Sequence, residues 1–404
     1  MKKTLFDCTR CFFVLIFAFT IGMLLVYLIP NSALKPQYTK SIEQAGQEEP
    51  YASFLFNSDA SILDNYTDLL MLETCHVSHV YTNPLQSALD NNGYPRYWNG
   101  YLLTLRPILS QFSYQQIRYI NMFILITAFC FCFSGIHREL SWVTALGFAV
   151  SVIMCFLVFI SESLQYFSVF MILFAEMLLI LYIPSLQTLE RSVVLFFASG
   201  MVTNFFDLLT APLLTLGIPL ALIICLTEKN DPEADLSGSL RRIISHSIAW
   251  GAGYALCWAA KWTLGTLILQ ENLFSDAMTT AKFRVEGNEA YPLDRALMFR
   301  KNIETYFFAK GHKPFALISL VSLILIICLI RSHRRDWIQR IIPLLLIAFF
   351  PYIWYFVFAN HSQLHYFYTY RIQAITMFAV FAAIGNALSV YPPHPNTACS
   401  RSRC

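Results

Sequence analysis

Charge is scarce in this sequence. Lys, Arg, Asp and Glu supply 13% of its 404 residues, against roughly 25% in a soluble domain. That shortage excludes an ordinary water-facing surface. A net charge of +3, spread along the chain, gives no nucleic-acid footprint. No Gly-rich phosphate loop, HExxH or GxSxG is present, so the common phosphate-binding, zinc-protease and serine-hydrolase signatures are missing. The apolar run over residues 11–30, which follows Lys2, Lys3 and Arg10, lacks a small-x-small cleavage site. It reads as a retained first helix instead of a cleaved leader.

What the chain has is apolar length. Hydrophobic residues make up 56%, and the runs predict an all-α polytopic membrane protein with about ten transmembrane helices. The predicted spans are 11–30, 118–136, 140–160, 166–184, 192–208, 211–227, 245–268, 314–330, 341–359 and 372–390. Basic short loops (Arg138, Arg191, Arg241, Arg242, Arg331, Arg334, Arg335 and Arg340) alternate with loops free of Lys and Arg. The positive-inside rule then puts both termini in the cytoplasm. The organisation that follows is an N-terminal helix (1–30), a first outer loop (31–117) and a bundle (118–268). A second outer loop (269–313), C-terminal helices (314–390) and a cytoplasmic tail (391–404) complete it. Residues 31–50 are polar and read as a mobile approach strand or loop, whereas 95–113 read as a helix lying in the membrane interface.

Of eleven cysteines, only Cys75 falls outside on this topology, which excludes an outer disulfide framework. Cys8-x-x-Cys11 reads as an acylation site or filler at the membrane edge, not a metal pair. The longest cytoplasmic loop runs over residues 228–242 and holds no nucleotide-binding domain, so neither ATP nor a cytosolic nucleotide-sugar is expected to drive the process.

Candidate chemistry therefore collects at the outer face. Asp64 and Asp68 are spaced i, i+4, which puts two carboxylates on one helical face; that suits a general base, admits a divalent metal, and equally suits a helix cap at Asp64. Asp59 is a reserve acid. Asp207 lies among aromatics between two spans, where a carboxylate is costly unless paired or wet. His361 and His365 share a helical face if their segment is helical. With Arg371 they offer donors to a phosphate. Arg96 and Arg106 are candidate lipid-phosphate binders. Lys261 and Glu176 lie inside spans and are candidates to pair. Glu73, His76 and His79 are a weaker metal set, and no cofactor is otherwise called for.

The layout resembles the GT-C class of integral-membrane glycosyltransferases. The segments carrying it are DNYTD (64–68), RYWNGYLLTLRP (96–107), TNFFDLLT (203–210) and NHSQLHYFYTYR (360–371). They look like segments of bacterial membrane proteins that bring no activity of their own. The class resemblance implies transfer of a sugar from a polyprenyl-phosphate donor to an envelope acceptor. The partners would then be a lipid-linked sugar and membrane lipids, with no nucleic acid. It also implies an acid of the first outer loop as base, best matched by Asp64 and then Asp68, with basic groups on the lipid phosphate. The departure is that Asp64 lies more than thirty residues past the first helix, whereas the class often holds its acid closer. A transporter or lipid flippase is the competing reading, kept open by Pro212, Gly217 and Pro219 in one span.

Overall fold

The computed structural model describes residues 2–388 except 56, 57, 78–80, 82, 232–234, 311, 313–316, 318–320, 323 and 326–334. Among these the chain is all-helical, and the only sheet-like pairings are two isolated bridges, Ser53 with Ile62 and Gly287 with Pro292. Five helical segments are long and apolar enough to cross a membrane: Lys2–Tyr27, Tyr114–Glu139, Leu164–Tyr182, Arg340–Val357 and Tyr366–Leu388. The protein is membrane-embedded.

The first helix, α1 (Lys2–Tyr27), stops before Pro30. The predicted loop over 31–50 is instead a helix, α2 (Asn31–Gln47), and this corrects the sequence reading. Its buried face is Leu34, Ser41 and Ala45. A face of small and polar residues hides the apolar period on which a sequence reading relies. Ser41 accepts a 2.9 Å bond from the backbone N–H of Tyr114, so the hydroxyl satisfies one of the orphan donors at the start of another helix. The rest of the first outer segment carries α3 (Asn65–Thr74), α4 (Pro84–Asp90) and α5 (Leu102–Leu109). The interfacial helix expected over 95–113 shrinks to the eight residues of α5. Asn99, with φ 52°, and the close seat of Gly100 on the Phe205 carbonyl prevent an earlier start.

Next come α6 (Tyr114–Glu139), α7 (Trp142–Ile153), α8 (Leu157–Ser161) and α9 (Leu164–Tyr182). The span expected over 140–160 is broken. The 12 residues of α7 reach only about 18 Å at 1.5 Å per residue, and Phe156 turns the chain at φ 57°. The bundle continues with α10 (Leu189–Phe206), α11 (Leu214–Asn230) and the 34-residue α12 (Leu236–Leu269). These match expected spans in position. They carry Ser, Thr, Gly and Trp on their contact faces, which lowers their hydropathy. Gly200 seats on the Trp250 carbonyl and Gly253 on the Phe197 carbonyl, so α10 and α12 meet backbone to backbone, as small residues allow. Nearly every side chain of α11 from Leu214 to Leu226 is buried, which makes it the central helix.

The second outer segment folds as α13 (Leu273–Glu286) and α14 (Arg295–Phe307). The expected span 314–330 lies largely outside the described residues. The chain closes with α15 (Arg335–Ala348), α16 (Phe350–Val357), α17 (Ala359–Leu364), α18 (Tyr366–Thr369) and α19 (Ala374–Leu388). Both α13 and α14 pack on α17, which brings the second outer segment onto the residues between the last two apolar segments.

Candidate functional site

Two polar clusters form where the outer segments meet the bundle. In the first, Asp68 is fully buried and accepts from the Tyr114 hydroxyl at 2.7 Å and from Ser163 Oγ at 3.1 Å. It also accepts from the backbone N–H groups of Leu164 (2.9 Å) and Gln165 (3.2 Å). It thereby caps α9 from another element, since those N–H groups are orphan donors of a helix start. Arg118 completes the cluster, with Nη1 2.6 Å and Nη2 2.8 Å from the two oxygens of Glu48, a bidentate fork, and its Nε 3.7 Å from Glu162. Each oxygen of Asp68 accepts two hydrogen bonds, so this carboxylate holds α3, α6 and α9 together; burial still pushes its carboxyl up from the usual value against the pull of Arg118 and these bonds.

Asp64 is not its partner on a helical face. It is the N-cap of α3, where its carboxylate accepts from the Thr67 N–H at 3.0 Å and the Thr67 hydroxyl at 2.9 Å. Burial pushes this carboxyl up to about 6, with a smaller push from Asp68, against the pull of the Thr67 bonds. A carboxylate balanced near that value exchanges a proton readily at neutral pH.

The second cluster gathers around Arg284 of α13. Its guanidinium donates to His361 Nδ1, stands against the Tyr97 hydroxyl, and acts on His365 and Tyr368. His361 Nε2 lies 2.8 Å from the Leu209 carbonyl, which can only accept. The proton is therefore on Nε2, and Nδ1 is free to accept from Arg284. His361 is a positioning residue for the guanidinium. Burial lowers the His361 imidazole well below its usual value and takes that of His365 down to about 3, with Arg284 adding to both shifts. Both rings are thus neutral at pH 7. The His365 ring stacks on Tyr368 at 5.0 Å and lies 4.8 Å from His361.

The charges of Asp64 and Arg284 act in opposite senses on the Tyr368 hydroxyl, that of Arg284 the more strongly. Asp207 joins from the other side: its turn carries the Leu209 carbonyl that fixes His361, and its charge reaches Tyr254, which also feels Tyr97. One turn past Gly200, Asn204 has neither amide atom partnered, although it is buried. A buried amide with both ends unpaired marks a place where a polar group is missing. Among the described residues no carboxylate lies within ion-pair distance of Arg284.

The other candidate cations are committed elsewhere. Arg371 is buried with Nε on the Cys155 carbonyl (3.2 Å), Nη1 on the Phe367 carbonyl (3.1 Å) and its plane over Tyr166, while its Nη2 has no partner among the described residues. It stands across Tyr166 from Tyr368 and does not touch the histidines. Arg106 donates to the carbonyls of Val26, Cys75 and Ile29, closing the ends of α1 and α3, which leaves it no free face for lipid phosphate. Lys261 donates to the Leu89 carbonyl at 2.6 Å and sits over Trp98; Glu176 accepts from Ser199 instead, so these two do not pair. Arg96 forms an ion pair with Asp276 at 2.6 Å. Asp59 accepts from Tyr366 at 3.0 Å and lies 3.7 Å from Lys301. His79 falls outside the described residues, and the His76 ring lies tilted against Tyr38, 5.2 Å between centroids. Among the described residues no three His, Cys, Asp or Glu are grouped to hold a metal.

Of the residues gathered here the sequence reading singles out Asp64, Asp207, His361 and His365, and not Arg284, Tyr97, Tyr368 or Asn204. Nothing in the local sequence sets Arg284 apart from Lys282 two residues earlier. Only the packing of α13 on α17, reinforced by the 2.9 Å bond from Asn360 to the Phe283 carbonyl, aims it inward. No family model, curated protein or solved structure matches this chain.

Proposed function

We propose that the protein transfers a sugar from a polyprenyl-phosphate donor to an envelope acceptor at the outer face of a bacterial plasma membrane. The reading takes the chain as a polytopic protein of about ten spans with cytoplasmic termini. The observation that carries it is the Arg284 guanidinium, held by neutral His361 and Tyr97, with no carboxylate at ion-pair distance among the described residues and with Asp64 acting on the same Tyr368 hydroxyl. An uncompensated cation in a partly buried site is costly unless an anion joins it, and a phosphate diester at the membrane surface supplies one in bidentate form.

In this reading Asp64 takes the proton from the acceptor hydroxyl as that oxygen attacks the anomeric carbon. The bond from carbon to phosphate oxygen breaks, and Arg284 offsets the charge that grows on the departing lipid phosphate. Asn204 and Asp207 would bond sugar hydroxyls. The test is release of sugar from a panel of polyprenyl-phosphate sugars by the reconstituted protein. Release by wild type, abolished in folded Asp64→Asn, supports the reading; no release from any donor by folded protein sinks it.

A transporter or lipid flippase is favoured by a different observation. Two cavities beside α10 share Leu195 and Ala198, one reaching Phe206 at the outer end and the other Lys3 and Arg191 near the opposite end. A lateral track of that kind suits a lipid moving between leaflets. Fluorescent-lipid exchange between leaflets of vesicles, absent for the glycosyltransferase, separates the two.

A further inference from the structure

The cavity between α9 and α10 has a feature that a gap filled by lipid tails would not need. Its volume is about 450 Å³, and its walls include Phe167, Met171, Leu195 and Phe206. Within this apolar wall sit Glu176 and Ser199. Glu176 is only 3% exposed; its Oε2 accepts from Ser199 Oγ at 2.6 Å, and its Oε1 has no partner at all. The acid lies within a helix long and apolar enough to cross the membrane, where an ionisable side chain is expensive and usually serves a site.

Charge narrows the occupant. No Lys, Arg or His is among the lining residues, so a phosphate or carboxylate headgroup would meet Glu176 with nothing to offset it. A pure hydrocarbon would fill the walls but leave Oε1 unpaired, at the cost of a buried polar atom. A hydroxyl answers both constraints, because it can accept from the acid or donate to its anion. We propose that this cleft binds a neutral long-chain alcohol, its hydroxyl on Glu176 and its chain along α9 and α10. The proposal does not rest on the glycosyltransferase reading, and its failure would leave that reading intact; it gives the cavity that the flippase reading uses as a track a neutral occupant in place of a phospholipid.

The test uses the full protein in nanodiscs with a diazirine analogue of dodecanol, cross-linked by light and mapped by mass spectrometry. Labels are expected on the α9 and α10 residues that line the cleft, and excess dodecanol should compete while dodecane and dodecanoate do not. Glu176→Leu is expected to lower labelling roughly tenfold, the worth of about one hydrogen bond, whereas Glu176→Gln, which keeps a hydrogen-bonding group, retains most of it. Equal competition by dodecane would overturn the proposal by making the cleft a greasy gap. So would labels spread over all lipid-facing helices, or a folded Glu176→Leu that labels like wild type. Should Glu176→Leu fail to fold, the competition by dodecanol against dodecane in wild type decides alone.

Discussion

Two polar clusters of similar composition form on the segments between apolar helices, and they differ in how their charges are met. Around Arg118 the cation is forked onto Glu48 and reaches towards Glu162, while Asp68 accepts four hydrogen bonds. Around Arg284 the same kind of cation is met by neutral imidazole and phenol, and Asp64 is held only by Thr67. The first arrangement closes on itself and ties three helices together. The second is left open, and an open charge at a partly wet site is what a ligand completes. Residue type does not separate structural from functional acids here; the count of donors around each one does.

The comparison can be broken first at Asp64. Asp64→Asn is expected to lower transfer by about 10²–10⁴-fold, the usual range for a lost general base, with folded yield retained because Asn also caps a helix. A matching loss of yield and activity would return Asp64 to the structural cluster. Next, Arg284→Ala is expected to cost about 10²–10³-fold in transfer, and denaturation in detergent should show little change in stability. Destabilisation as large as that of an Arg118 variant would erase the distinction between the clusters.

Arg118→Met tests the other side. It strands Glu48 and removes the guanidinium beside Tyr114, so a loss of about 3–5 kcal/mol is expected, read as a lower midpoint of denaturation. Arg106→Met should cost somewhat less, about 3 kcal/mol, because it frees carbonyls at helix ends where water can reach some of them. The smallest effect is in pH. Asp64 is held above the usual carboxylate range at about 6, so its neutral form favours the fold; that contribution is complete at low pH and fades as pH rises through about 6. Activity runs the opposite way, since the base must be ionised, and its rate should climb through about pH 6. The limb should vanish in any residual activity of Asp64→Asn. A profile flat from pH 5 to 8 in wild type would remove Asp64 from the reaction.

How much of this was legible in the chain depends on the range of the interaction involved. The scarcity of charge and the apolar runs were enough for an all-helical membrane protein, because transfer into lipid acts on each segment separately. Asp64 as a helix cap, and His361 beside His365, were likewise readable from local spacing. The break at Phe156 and the helix over 31–47 were not, since the first depends on a single positive φ and the second buries serine and alanine where a reader looks for leucine.

The sequence by itself determined that the protein lives in the membrane and that its polar chemistry gathers in the segments between spans. Only the tertiary structure decided which charges are spent on the fold. Arg106, Arg371 and Lys261 look available on paper, yet each donates to backbone carbonyls from elements up to hundreds of residues away, with only Arg371 Nη2 left unpartnered among the described residues. Arg284 looks ordinary on paper and meets neutral His361 and Tyr97, with no carboxylate at ion-pair distance among the described residues. The reason is physical: a hydrogen bond closes over three ångströms of space whatever the distance along the chain, so the state of a charge is a property of packing and not of local sequence.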